Sequence, residues 1–373
     1  MTAFLPVLYS TGGMNDKPHR YRFLLYSIIL IGYIVLFPLP LGKELLLPLQ
    51  WICSIAGSVS TPENQGRQIA KEKTTGFVLG KSLGYISDAG ALVYKEPALH
   101  GAVVTNGGFI NYSAIPEVLV VKDPRGSILS TLKAQGYPFM RKNRLFILSQ
   151  DGCGLAEVTL EGEVLWEKDF NQLITSMDAG TTVTAIGLWD GTLLLLGLTG
   201  EVILQEKLAQ GPYSVIYLTA LSKDDRMVSA VFGLKPQRGL LWEKTPTGYK
   251  RVRSFQLNSD FRRPIQGFLD SKTGIFILED SAGIALIGLG EKEYVTIPLK
   301  ERIGAIGSSP IDGLFLFYTQ RDEGYKIRGI THKGRKVFIM SLPTREPFWF
   351  QSEEGAYFVG FNNKIVKYRV VLG

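Results

Sequence analysis

A hairpin phrase that returns after about 40 residues constrains the fold of this chain more than any other feature. Its first copy joins apolar strands through the glycine turns at Gly152 and Gly162, and its second copy has glycines at Gly191 and Gly200. Gly152 and Gly191 are 39 positions apart, and Gly162 and Gly200 are 38 apart. Apolar strands separated by glycine turns at this spacing indicate a repeated unit of short antiparallel strands.

Repeats of this length and strand content are typical of β-propeller blades. The 41 glycines supply many turns, and only 20% of the residues are charged. We therefore predict an all-β protein with a seven-bladed β-propeller, at about 43 residues per blade. Its successive units cover residues 91–132, 137–170, 173–208, 213–257, 264–299 and 303–342, and the chain's last strands. The alternative is eight blades, in which the N-terminal part forms a sheet of its own.

The end of the chain has strand patterns for only three strands of a blade, at residues 347–351, 356–361 and 365–372. We predict that residues 77–86 supply the missing strand. Pairing between the two ends of the propeller domain, residues 76–373, would close the ring and remove an exposed sheet edge.

Residues 23–41 form an apolar stretch without a charge. About 20 helical residues cross a bilayer, so this stretch predicts a transmembrane helix that acts as a signal anchor. Lys17, Arg20 and Arg22 precede it, and the positive-inside rule then places residues 1–22 in the cytoplasm. The propeller would lie on the periplasmic or extracytoplasmic side of the cytoplasmic membrane. A cleaved signal peptide and a lipid on Cys53 are the alternatives.

Residues 42–75 are predicted to be an apolar stalk followed by a polar linker. Trp51 suits a membrane interface, because its ring is apolar and its N–H is polar. An apolar strap that packs on the propeller is the other interpretation of the same segment.

Two phrases resemble those of known propellers. Gly162-Glu163-Val164-Leu165-Trp166-Glu167-Lys168-Asp169 resembles the repeat of quinoprotein-like (PQQ-like repeat) propellers, and the segment 221–229 resembles an outer turn of WD40-type and YVTN surface-layer propellers. Active quinoproteins would bind pyrroloquinoline quinone and calcium near a vicinal cysteine pair. Because Cys53 and Cys153 are far apart, the resemblance favours a non-enzymatic member without cofactor.

Such members include the membrane-tethered propeller lipoprotein of the outer-membrane protein assembly machine, which acts by protein contact. The resemblance thus implies a membrane-anchored bacterial scaffold with protein partners in the cell envelope. Two alternatives remain: a quinone- or metal-dependent periplasmic oxidoreductase or hydrolase that uses the channel, and a binder of cell-wall or sugar ligands. No sequence motif for catalysis or metal binding singles out a residue. Asp151, Asp190, Asp280 and Asp322 lie in predicted turns, where a carboxylate usually binds local backbone.

Basic residues are the candidate partner-binding groups. The net charge of +7 is too small to argue for nucleic acid, but a local cationic patch would attract an acidic protein, an anionic lipid or a cell-wall polymer. The candidates are Arg141, Lys142, Arg144, Lys250, Arg251, Arg253, Arg262, Arg263, Lys333, Arg335 and Lys336.

Overall fold

The computed structural model describes residues 17–36, 45–57, 73–133, 136–209, 211, 214–289, 294–308, 311, 313–321, 324–353 and 356–372. Contacts divide the chain into two units, residues 1–44 with 372–373, and Leu45–Val371. The first unit contains one described helix, α1 (Lys17–Leu36). The second unit contains the strands.

The predicted transmembrane helix at residues 23–41 is wrong. In the described part of the chain, no helix is long and apolar enough to cross a membrane. The helix α1 begins six residues earlier, within the basic segment, and it ends at Leu36. Its uncharged part, from Phe23 to Leu36, is about 21 Å long at 1.5 Å per residue.

Thirty-three strands are described, and most of them belong to antiparallel sheets of four. Two strands come before the first blade: β1 (Leu45–Leu46) and β2 (Leu49–Ser54). The strands of blades 1 to 3 are β3 (Thr74–Leu79), β4 (Ser82–Ser87), β5 (Leu92–Pro97); β6 (Gly101–Val104), β7 (Phe109–Tyr112), β8 (Leu119–Lys122), β9 (Ile128–Leu132); and β10 (Gly136–Arg141), β11 (Arg144–Ser149), β12 (Gly154–Val158), β13 (Val164–Asp169).

The later blades follow the same order. The strands of blades 4 to 6 are β14 (Ile174–Ala179), β15 (Thr184–Leu188), β16 (Thr192–Leu196), β17 (Val202–Lys207); β18 (Ile216–Leu221), β19 (Met227–Phe232), β20 (Arg238–Thr245), β21 (Gly248–Gln256); and β22 (Gly267–Asp270), β23 (Ile275–Asp280), β24 (Gly283–Gly288), β25 (Val295–Pro298). Blades 7 and 8 contain β26 (Arg302–Ser308), β27 (Leu314–Arg321), β28 (Gly324–Thr331), β29 (Lys336–Leu342); and β30 (Trp349–Glu353), β31 (Ala356–Phe361), β32 (Lys364–Arg369). A short last strand, β33 (Val371–Leu372), pairs with β1.

The described strands therefore form eight blades, and the predicted count of seven is wrong. Units two to six of the prediction coincide with blades 3 to 7. The error lies in the first unit, where β6 was not recognised: it has four residues, Gly-Ala-Val-Val, and carries little strand signal. Residues 92–97 consequently belong to blade 1, whose three described strands form a separate sheet, as in the eight-bladed alternative.

Ring closure uses the N-terminal end of the unit, but not the segment that was predicted. The closing strand is β2, which pairs antiparallel with β32 from Leu49 opposite Tyr368 to Ser54 opposite Lys364. Residues 77–86 instead form most of the β3–β4 hairpin. The predicted stalk is thus partly the outermost strand of blade 8. An outer strand needs only one buried face, so its short, mixed sequence suffices.

Trp51 shows why β2 belongs to the ring. Its indole N–H donates to the carbonyl oxygen of Asp88 at 2.9 Å, and its ring centroid lies 6.0 Å from that of Phe358. Cys53, the next inward residue, is buried beside Phe77. The interpretation of this segment as an interfacial stalk is therefore wrong, and the residues described from the predicted linker, 73–75, begin blade 1.

The innermost strands of adjacent blades contact one another, for example β14 with β18 and β26 with β30, and they line the channel. In blades 2 to 7 the turns that join strands one to two and three to four lie on one side, which we call the upper face. The turns between strands two and three, and the connections between blades, lie on the lower face. This assignment follows from the antiparallel strand order.

The repeated glycine phrase of the sequence contains a turn that recurs before the outer strand of several blades. Gly126, Gly162, Gly200 and Gly334 all have positive φ, between 76° and 99°, and each lies two residues before the first residue of an outer strand. The same pair of backbone hydrogen bonds closes each turn, as between Thr159 and Glu163 and between Gly162 and Thr159. Glycine adopts this left-handed conformation without steric cost.

The tripeptide Leu-Trp-Glu occurs at residues 165–167 and again at residues 241–243, but its two tryptophans are not equivalent in the structure. Trp166 lies in β13, the outer strand of blade 3, whereas Trp242 lies in β20, the third strand of blade 5. The second phrase therefore repeats the sequence without repeating the position. Strands with continuous apolar runs are buried on both faces, and Leu193, Leu195, Ile284 and Ile287 have no exposed surface.

Candidate interaction surface

The predicted basic residues do not form one patch. Three of them belong to or flank the β10–β11 turn on the upper face of blade 3, and three lie on β21, the outer strand of blade 5. Arg262 and Arg263 lie on the lower face, in the connection to blade 6. Lys333, Arg335 and Lys336 lie in or just after the upper turn of blade 7. The sequence clusters are thus distributed around the ring.

Arg144 is a structural residue. Its guanidinium forms a two-bond ion pair with Glu157, with N–O distances of 2.7 and 2.6 Å. It also donates to the carbonyl oxygen of Val183 at 3.0 Å and to Thr184 Oγ1 at 2.9 Å, in the next blade. The Trp166 indole N–H donates to the same carboxylate at 2.7 Å. This network joins blades 3 and 4 and leaves no guanidinium face for a partner.

Two further predicted arginines pair with carboxylates. Arg251 forms an ion pair with Glu206 of the preceding blade. Arg263 binds Glu279 through two hydrogen bonds of 2.8 and 2.7 Å, and this contact raises the pKa of Arg263. Arg253 is half-buried on β21. Arg251 and Arg263 are thus engaged in ion pairs within the ring.

Lys142 belongs to a polar cluster on the upper face near the channel. Its ammonium donates to the carbonyl oxygens of Leu221 and Ser222, both at 3.2 Å, and thereby connects blade 3 with blade 5. The nearby Asp178 accepts the Leu221 N–H at 2.7 Å. Burial lowers the pKa of Lys142 although Asp178 and Asp225 oppose the shift. Burial also raises the pKa of Asp178, against the effect of Lys142.

The remaining predicted residues are exposed. They are Arg141, Lys250, Arg262, Lys333, Arg335 and Lys336. They lie on different blades and on both faces, so they do not form a single contact surface. Nothing in the geometry selects one of them as a binding residue.

A cavity on the lower face brings together arginines that sequence reasoning missed. Its volume is 420 Å³, and we call it the arginine pocket; its lining residues are Arg302, Gln320, Arg321, Gly324, Tyr325, Thr344 and Arg345. Arg302 begins the inner strand of blade 7, Arg321 ends the second strand, and Arg345 lies in the connection to blade 8. Among the described residues, none of the three guanidinium groups forms a hydrogen bond or an ion pair.

An aromatic stack supports the arginine pocket. The rings of Tyr325 and Phe348 are stacked, with centroids 4.3 Å apart, and Tyr318 contacts Phe348 edge-on at 4.9 Å. The connection that carries Arg345 is fixed by Thr344, whose hydroxyl donates to Asn362 Oδ1 at 2.8 Å and accepts the Glu346 N–H at 3.1 Å. Through these rings, the connection to blade 8 packs against blade 7.

A second cleft, of 490 Å³, shares Arg321 with the arginine pocket and extends towards Lys300 and Lys336. Its cations are partly neutralised. Glu301 accepts a 2.6 Å hydrogen bond from Arg328 and pairs with Lys326 at 3.4 Å. Among the described residues, no carboxylate lines the arginine pocket, whereas Glu301 lines the second cleft.

Three of the four turn aspartates lie among the described residues, and these three accept hydrogen bonds from local backbone, as predicted. Asp151 accepts the Cys153 N–H at 2.9 Å, and Asp190 accepts the Thr192 N–H at 3.0 Å. Asp280 accepts the Ser281 N–H at 2.9 Å. Asp322 lies outside the described residues. Within those residues, no group of three His, Cys, Asp or Glu side chains could hold a metal ion.

The sequence signal for the arginine pocket exists but is weak. Its three arginines are isolated in the sequence, 19 and 24 positions apart, so a search for runs of basic residues passes over them. They are placed together only when the strand boundaries of blade 7 are known. All three arginines then lie on the lower face of blade 7: Arg302 at the start of β26, Arg321 at the end of β27, and Arg345 in the connection that follows β29.

Comparison with known proteins agrees with this architecture. No curated protein matches the chain in sequence. The structure of BamB from Moraxella catarrhalis superposes with a TM-score of 0.57 at 10% identity, over 87% of this chain and 100% of that chain. The computationally designed protein Ika8 gives a TM-score of 0.58 at 13% identity, over 86% of this chain and 99% of that chain. Both likenesses are of fold alone. A sequence model described as "beta-propeller protein" matches residues 14–371, so this chain belongs to the beta-propeller protein family.

Proposed function

We propose that this β-propeller is a non-enzymatic scaffold that holds protein partners in the cell envelope, on the extracytoplasmic side. The observation that carries the proposal is the arginine pocket, which is assembled from blade 7 and its connection to blade 8 and is open to solvent. A rigid ring that presents charged loops at fixed positions suits recognition of another protein.

The placement in the envelope has separate support. The quinoprotein-like phrase at residues 162–169 resembles propellers whose non-enzymatic members work in outer-membrane protein assembly. BamB is among the structures that share the fold, although the low identity carries no function by itself. The proposal makes no statement about how the chain is retained in the envelope.

Site-specific photo-crosslinking in intact cells tests the scaffold. A photo-reactive amino acid at Gln320, in the arginine pocket, is expected to give discrete adducts with envelope proteins. The same group at Lys333, on the upper face, is the matched control and is expected to give few. Absence of adducts from both positions would overturn the proposed scaffold function.

A topology reporter tests the compartment. Alkaline phosphatase fused after Gly373 folds only outside the cytoplasm, so the fusion is expected to be active in whole cells. A cytoplasmic reporter at the same position should be inactive. The reverse pattern would place the propeller inside the cell and contradict the proposal.

A further inference from the structure

We infer that the arginine pocket binds an acidic peptide segment of a protein partner, a proposal that rests on the scaffold function above. The three guanidinium groups converge on one cavity from one blade and from its connection to the next. A guanidinium presents a planar fork that matches a carboxylate in a two-bond geometry. Three such forks around one cavity fit a segment with several carboxylates.

The pairing of the strands fixes two of the arginines relative to each other. Arg302 on β26 is the cross-strand neighbour of Gln320 on β27, and Arg321 follows directly. Arg321 lies opposite Gly324 across the β27–β28 hairpin. Both guanidinium groups therefore arise at the lower end of blade 7. Arg302 and Arg321 are therefore presented from strands whose main chain is hydrogen-bonded in the sheet, which reduces the entropy lost when a ligand binds.

The pocket arginines differ from three other cations of blades 6 and 7 and the connection before them, because those three are paired with carboxylates. Arg263 is bound by Glu279, and Arg328 and Lys326 share Glu301. The pocket arginines have no such partner among the described residues, and like charges held close together repel one another. An incoming carboxylate relieves this repulsion, so the pocket is complementary to an anion.

The size of the cavity favours a peptide over a single small anion. Its 420 Å³ lies in the range of about 300–1,000 Å³ that is usual for drug-sized ligands, and it exceeds what one carboxylate occupies. Tyr325, Gln320 and Thr344 add polar and aromatic surface between the arginines. A stretch of side chains with carboxylates and methylene groups matches this lining better than a compact ion does.

Fluorescence anisotropy with the full chain tests the inference. The probe is a fluorescein-labelled hexaglutamate peptide, and hexaglutamine is the uncharged control. Exposed ion pairs each contribute a factor of roughly 2–5 in affinity, so the triple variant R302Q/R321Q/R345Q is expected to weaken binding about tenfold or more. The control variant K250Q/K333Q/R335Q has the same net charge and is expected to change binding less than about twofold.

Each remaining outcome contradicts the inference in a defined way. Equal weakening by both triple variants would mean that net charge, and not the pocket, attracts the peptide. Tighter binding of inorganic phosphate than of hexaglutamate would assign the pocket to a small oxyanion. Binding of vesicles with 30% anionic lipid, lost in the pocket variant and without peptide binding, would assign it to a membrane surface.

The same measurements separate this inference from the scaffold function. If Gln320 crosslinks envelope proteins but hexaglutamate does not bind, the scaffold stands and the acidic peptide is wrong. If hexaglutamate binds through the three arginines but neither face crosslinks a protein, the pocket assignment stands and the scaffold is wrong.

Discussion

At the scale of single residues, the charged groups inside the ring pair across blade boundaries. Glu157 is the clearest case, because its carboxylate is 3% exposed and accepts hydrogen bonds from Arg144 and Trp166. Removing one partner leaves the other charge buried without compensation. We expect Glu157→Gln to lower the free energy of unfolding by about 3 kcal/mol, measured by chemical denaturation.

Glu163→Gln is the matched control for this prediction. Glu163 lies in the exposed turn before β13, and the same chemical change there should alter stability by less than about 0.5 kcal/mol. In the double variant Arg144→Met with Glu157→Gln, the loss should be smaller than the sum of the single losses, because the residues interact. Additive losses would show that the pair contributes no coupling.

A second carboxylate joins blades 1 and 2 and gives a pH-dependent prediction. Glu96 accepts hydrogen bonds from Lys122, Tyr94 and Asn111 at 2.6 to 2.8 Å. Burial alone would raise the pKa of Glu96, but these hydrogen bonds outweigh it and hold the pKa below the ordinary value. A lowered folded-state pKa stabilises the protein above the unfolded pKa, near 4.3, and this stabilisation disappears as the pH falls through the folded pKa.

Glu96→Gln should therefore destabilise the protein at pH 7, and the difference from the wild type should shrink as the pH falls below about 4. Denaturation curves at several pH values measure this difference. A gap between wild type and variant that stays constant from pH 7 to pH 3 would contradict the assigned pKa direction.

At the scale of elements, β2 is the strand whose role decides the ring. Its side chains alternate: Cys53 is buried with Phe77 and Ile365, while Ile52 is 57% exposed. We expect Cys53→Asp to destabilise the protein by about 3 kcal/mol or more, because it buries a carboxylate without a partner. Ile52→Asp, one residue away on the open face, should have an effect below about 1 kcal/mol. Equal effects would show that β2 is not docked in this register.

The elements also show what the sequence can predict. Blades 3 to 7 were predicted because glycine turns and apolar runs are local signals, readable over ten residues. Closure by β2 was not predicted, because pairing of Ile52 with Val366 joins positions more than 300 residues apart. The arginine pocket was missed for the same reason: its members share a face only after the strand boundaries are fixed. Local propensity indicates that a strand exists, but its partners depend on the packing of the whole ring.

At the scale of the whole molecule, closure shares one blade between the two ends of the propeller. An open array of repeats frays at its terminal repeats, whereas this ring has β2 hydrogen-bonded to β32 and Ile55 bonded to Asn363. We expect hydrogen exchange to be slow in β31 and comparable to that in β19, the buried second strand of blade 5. In the Cys53→Asp variant, exchange should rise first in blades 8 and 1, while β19 stays protected. Much faster exchange of β31 than of β19 in the wild type would mean that the ring opens at this junction. A propeller that opens there could not present the arginine pocket, which blade 7 and its connection to blade 8 form, as a rigid surface.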